Sequence, residues 1–273
     1  MILKAKKTAK RRLLVLLVMN LALIASMPAD GRSPAQNDLK TDIVKRGQGK
    51  YYSLYAEGLK SFECSANLNW DKFFKDDEAK GTFPGEPNAA TLKLLKFTVN
   101  VDGAGAFNIT RPTIPKNGDK ETEDGVKMAV DSTGDRISGF FSAWSPFVFG
   151  TLFPDPGYIY RVDNSPTGYH LYSKDAGIQT ELFMDKDLAV SRISVTSESV
   201  KGRTDPSYSK TSKGLLVNRL DSYLNGGDIT STITIEYQEI QGLSLPKTVL
   251  FDATVQGEKQ VFELDFFDYQ VKK

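Results

Sequence analysis

One histidine and one cysteine limit what this chain can do by side-chain chemistry. His170 stands in Tyr169-His170-Leu171-Tyr172, whose alternation reads as a strand. A Ser-His-Asp or Cys-His site would have to use it, and no GxSxG elbow supplies a nucleophile. Structural zinc takes several His or Cys ligands, and one of each does not provide them. Neither a GxGxxG after a strand nor a P-loop occurs, and Gly103-Ala104-Gly105 reads as a hairpin fragment. No cofactor or metal is expected. Cys64 has no partner for an internal disulfide. The alternation Phe62-Glu63-Cys64-Ser65-Ala66 points it inward on a strand as a small hydrophobe; a reactive or dimer-forming thiol is the other reading. Carboxylates are plentiful. A glycosidase-type pair needs two acids about 5–10 Å apart in a cleft, and Asp265 with Asp268, or Glu236 with Glu239, are the local candidates. Residues three apart on a strand lie on opposite faces, so both pairs read as solvent-facing positions.

The remaining constellation is apolar. Ile137 to Phe153 reads ISGFFSAWSPFVFGTLF, 17 residues without a charge and with six aromatics. Such a stretch is either a core plug or a lid over a cavity that takes a hydrophobic ligand. The candidate lining residues are Ile137, Phe140, Phe141, Trp144, Phe147, Val148, Phe149 and Phe153, acting by apolar contact.

The start of the chain reads as an export signal. Met1 to Arg12 holds six basic residues and no acid, Leu13 to Ala25 is apolar except for Asn20, and small residues follow. The apolar run is shorter than the roughly 20 residues that span a bilayer; an uncleaved anchor is the alternative. Cleavage is expected after Ser26. The whole chain has 35 basic and 34 acidic residues. Removing the signal leaves 29 against 34, a net charge near −5. Nucleic acid is therefore excluded as a partner, because binding it needs clustered Lys and Arg.

The elements that would carry the aromatic stretch are mostly strands. Residues 1–26 are expected as signal peptide, 27–46 as a flexible leader without periodicity and 47–273 as one domain. Tyr51 to Ser61 has helical spacing, and Leu59 to Trp70 alternates as a half-buried strand. Asp71 to Pro87 reads as turn and loop. Thr91 to Asn100 and Gly103 to Thr110 form a hairpin through Val101-Asp102-Gly103. Val126, Val130, Ile137, Phe141, Trp144 and Val148 suit helix, and Gly134 and Pro146 predict two short helices rather than one. From Tyr158 on, strands pair across Asp163 to Gly168 and Asp185-Lys186-Asp187. Ser199 to Ser212 reads as a polar loop, and four further strands follow. Many short antiparallel strands with few helices give an α+β protein with the helices packed on one sheet.

The last 45 residues narrow this. Tyr237 ending a strand, Gly242-Leu243-Ser244-Leu245-Pro246, and Phe267-Asp268-Tyr269-Gln270-Val271 resemble the C-terminal half of the LolA-like family of periplasmic lipoprotein carriers and sorting proteins. Gly58-Leu59-Lys60-Ser61-Phe62 is similar to that family's opening. The resemblance implies a strongly curved antiparallel β half-barrel with helices forming a lid over its concave face, Ile137 to Phe153 being the lid. It implies a lipid, or the acyl chains of a lipoprotein, as ligand. Carriers of this family hold an arginine on an early strand, and Phe62 to Trp70 has none. The expected function is that of an exported, non-catalytic lipid-binding or carrier protein. It would work in the periplasm, or be secreted where the host has no outer membrane, with transient membrane contact. The alternatives are an envelope sensor or scaffold that holds a protein partner through the sheet edge or the aromatic patch, and a carboxylate-pair hydrolase.

Overall fold

The computed structural model describes residues 34–73, 89–114, 120–255 and 257–273. The expected signal, the start of the leader and most of the 71–87 loop lie outside them. The α-helices that matter for the site are α1 (Pro34–Gln48), α2 (Ala89–Leu94) and α3 (Lys120–Val148), and residues 70–73 are helical as well. The strands are β1 (Ser61–Leu68), β2 (Phe97–Asp102), β3 (Phe107–Thr110), β4 (Ile159–Ser165), β5 (Gly168–Asp175), β6 (Ile178–Asp185), β7 (Val190–Thr196), β8 (Lys201–Thr211), β9 (Gly214–Leu224), β10 (Ile229–Ile240), β11 (Leu243–Val255) and β12 (Glu258–Lys272). They form one antiparallel 12-stranded sheet, in the order β3-β2-β1-β12-β11-β10-β9-β8-β7-β6-β5-β4. The sheet is open, with β3 and β4 as its edges. The fold is α+β.

All neighbours are consecutive in sequence except β1 and β12, which bring the two ends of the domain together. Tight turns set much of this order. Ala176-Gly177 and Gln241-Gly242 have positive φ at both positions, the geometry of two-residue hairpins that matches strand twist. The connection from edge strand β3 to edge strand β4 contains α3. Most inward side chains of the sheet and the apolar stripe of α3 form one core cluster, and Leu224, Ile229 and Val255 form a small second one.

The β11–β12 ladder runs only from Thr248 to Val255 on β11. Beyond it, Leu243 to Pro246 continue pairing with β10, while Phe266 to Lys272 pair with β1. Side chains bridge the gap: Tyr269 Oη donates to Pro246 O at 2.7 Å, and Gln238 Nε2 to Phe266 O at 3.1 Å. Pro246 lacks an N–H and sits where the β10 register shifts, the setting a proline needs inside a sheet. The residues that carry the family resemblance thus meet at this gap.

Several elements differ from the sequence expectation. The leader is largely helix: α1 covers 34–48, with Ile43 and Val44 buried. Its inner stripe is Lys40, Ile43, Val44 and Gly47, of which two are apolar, so periodicity does not reveal it. A Cβ on Gly47 would lie 2.5 Å from the Phe153 ring, so the glycine is what lets α1 close on that aromatic.

Tyr51 to Ser61 is not a helix. Tyr52 N donates to Leu215 O at 3.0 Å and Leu54 N to Val148 O at 2.9 Å. These bonds to β9 and to the end of α3 take the backbone away from helix. Thr91 to Asn100 splits into α2 and the start of β2. The polar Ser199 to Ser212 stretch is mostly β8, because its inward positions are Thr204, Pro206 and Tyr208. Finally, α3 is unbroken. Pro146 falls in its last turn, where the missing N–H disturbs little that follows. Gly134 is buried, and a Cβ there would meet Arg111 Nε at 2.8 Å.

Candidate functional site

Of the eight expected lining residues, Ile137, Phe140, Phe141, Trp144, Phe147 and Val148 stand on α3, and Phe149 and Phe153 just beyond its end. Their 3- and 4-residue spacing puts the helical six on one stripe. All eight are buried, and Ile137, Phe140, Phe141 and Trp144 are fully enclosed.

The stripe meets rings from across the sheet. Phe141 lies 5.6 Å from Phe107 of β3, 6.4 Å from Phe62 of β1 and 5.7 Å from Phe266 of β12, between ring centres. Phe140 stacks on Trp144 at 5.8 Å and meets Phe266 at 5.4 Å. Phe147 lies 6.3 Å from Tyr208 of β8, and Phe153 packs edge-on against Tyr51 at 5.9 Å. Sequence reading did not assign these sheet-side partners to the site. The signal present was an aromatic at an inward position of an alternating strand, as at Phe62 and Phe266.

Polar atoms within the cluster are few; some are bonded through tyrosines, while Thr133 Oγ1, Ser145 Oγ and Tyr208 Oη are buried without a hydrogen-bond partner among the described residues. Trp144 Nε1 donates to Tyr237 Oη at 3.0 Å, and Tyr237 Oη donates to Val217 O at 2.5 Å. Tyr51 Oη accepts from Val190 N at 2.7 Å, and Tyr52 Oη from Ser244 N at 2.8 Å. Burial raises the Tyr51 phenol to about 12 and drives that of Tyr237 up as well. Cys64 faces inward on β1, as its alternation predicts, and burial raises its thiol to about 12. These groups stay protonated near neutral pH, so they offer apolar surface and hydrogen bonds but no general base there.

A groove of about 630 Å³ opens beside this cluster, between α1 and residues 150–158. Val44, Lys45, Gln48, Phe153, Pro154 and Tyr158 contribute to its walls. Among the eight expected residues, Phe153 reaches it.

His170 belongs to the opposite, solvent-side face. Nε2 lies 3.0 Å from Glu181 Oε2, and the ring sits 3.8 Å from the ring centres of both Tyr172 and Phe183. Arg161 covers Tyr172 and Arg192 covers Phe183. Burial lowers the His170 pKa below 6.5 and outweighs the upward pull of Glu181. The unfolded chain therefore accepts a proton where the folded chain resists it. The His170 contribution to stability is complete above about pH 6.5 and falls as pH drops toward the lowered folded value. Thermal melts at about pH 7.5 and pH 5.5 check this, since both lie around the ordinary histidine range. The native chain should lose more melting temperature on acidification than His170→Phe does.

The candidate acid pairs go to separate partners. Asp268, at a φ of 54°, pairs with Lys96, while Asp265 accepts from Thr248. Glu236 and Glu239 are exposed. Among the described residues, no group of three or more His, Cys, Asp or Glu is arranged to hold a metal, and no helix is long and apolar enough to cross a membrane. Comparison with family models, curated proteins and solved structures finds no match to this chain.

Proposed function

We propose that this chain is an exported, non-catalytic binding or carrier protein for a lipid or the acyl chains of a lipoprotein, with α3 as the lid of a strongly curved half-barrel. One observation carries the reading. The charge-free half of the helix linking the two sheet edges contacts rings of strands far apart in the sheet order. Phe141 touches β3 and Phe147 touches β8. In a flat sheet those strands, seven steps apart, would be about 34 Å from each other. The two residues are separated by about 9 Å along the helix. A sheet curling toward the helix brings the two spans together. The basic and apolar opening of the chain supports export, and the LolA-like motifs at the β11–β12 gap support the family's architecture.

Magnitudes decide how such a site would work. Burying one large apolar side chain is worth about 1.5–3 kcal/mol. Exposing Phe140, Phe141, Trp144, Phe147 and Phe149 to water would cost roughly 8–15 kcal/mol, as much as a whole domain's stability. The lid therefore does not swing open into solvent. An acyl chain enters by exchange, each methylene it buries returning about 0.8 kcal/mol as an aromatic ring gives way. The groove at Phe153 is where that exchange would begin.

Native mass spectrometry of the chain, purified from cells without detergent, tests the reading, together with organic extraction. Adducts of phospholipid or acyl mass are expected. Bare protein that also takes no lipid from phospholipid vesicles would sink the proposal.

A further inference from the structure

Among the described residues neither edge of the sheet has a further strand beside it, and the two edges differ. β3 has four residues, and Pro112 soon follows with no N–H to offer. β4 has seven, and among the described residues no strand pairs with its outer side. A sheet edge without a neighbouring strand is a template for another chain, and here the charges specify which one. Arg161 and Asp163 flank Val162 and form a 3.1 Å ion pair, both side chains about half exposed, at 53% and 49%. The irregular register between Ile159 and Arg161 leaves Arg161 to Ser165 as the regular part of the strand.

We propose that two copies of this chain join through β4, antiparallel about a two-fold axis at Val162. Arg161 of each copy then opposes Asp163 of the other, Val162 opposes its own counterpart, and Tyr160 opposes Asn164. Opposite charges directly across a strand pair are favourable and like charges are not. Centring the axis on Arg161 would set arginine against arginine, and centring it on Asp163 would set aspartate against aspartate, so charge selects the register. The contact is isologous and closes on itself. It consumes the longer edge of each copy and leaves outermost the short β3.

Analytical ultracentrifugation of the full chain tests this. The native chain is expected to show a concentration-dependent dimer. Arg161→Asp alone and Asp163→Arg alone should each be monomeric. An equimolar mixture of the two should dimerise, because each copy then meets the complementary charge. That mixture does not restore the ion pair within either chain, so recovery reports the contact between chains. The double variant Arg161→Asp/Asp163→Arg keeps the internal pair and serves if a single variant fails to fold. It should dimerise with itself and not with the native chain. A native chain that stays monomeric at every attainable concentration would overturn the proposal. So would singly substituted chains that still dimerise, a mixture that stays monomeric, or free mixing of native and doubly substituted chains.

Discussion

Replacing Phe140 by alanine should lower the unfolding free energy by about 3–5 kcal/mol, the range for emptying a large ring from a packed core. Phe140 is fully enclosed and its ring meets Phe141, Trp144 and Phe266. Around it stand rigid rings from α3 and β12 that have little freedom to collapse into the space. Small domains hold about 5–15 kcal/mol in all, so this one change removes a large share. Urea unfolding followed by tryptophan emission measures it. A cost below about 1 kcal/mol would mean that the α3 stripe is loosely seated and that the site holds free volume.

Tyr237→Phe should cost about 2–6 kcal/mol although it removes one oxygen and keeps the ring. Tyr237 Oη joins Trp144 Nε1 to Val217 O. Without it, a buried donor and a buried acceptor both lose their partner, at about 1–3 kcal/mol each. The same substitution in a Trp144→Phe background should cost about 1–3 kcal/mol less, because only the carbonyl is then stranded. A double-mutant cycle by urea unfolding reads the difference, and additive effects would argue against the chain of bonds. Trp144→Asp gives no such resolution. A carboxylate in that enclosed position unfolds the chain whether the helix is a lid or a plug.

Much of the sheet was legible because its strands alternate and its turns use turn residues. The β4–β5 and β6–β7 hairpins fall where the sequence puts them, and Cys64 points inward as its neighbours predict. What escaped was set by contacts between distant residues. The stripe of α1 contains a lysine and a glycine, and the glycine makes sense only beside Phe153. Tyr51 to Ser61 has helical spacing but spends the N–H groups of Tyr52 and Leu54 on β9 and α3. The inward side of β8 is Thr, Pro and Tyr, so composition alone suggested a loop. Pairing of β1 with β12 joins residues some 200 positions apart, which no local pattern encodes.

The aromatic stretch itself was found by composition, and its placement in one cluster follows from helical spacing. Its enclosure was not legible, because a plug and a closed lid bury the same residues.

Hydrogen exchange of residues 137–148, read while the chain is titrated with a fluorescent diacyl phospholipid, separates those two roles most directly. The lid account predicts slow exchange without lipid, saturable uptake of the probe, and faster exchange confined to this segment as the rings give way. Exchange that stays slow and unchanged, with no saturable uptake, would contradict it and leave the stretch as the core of the fold.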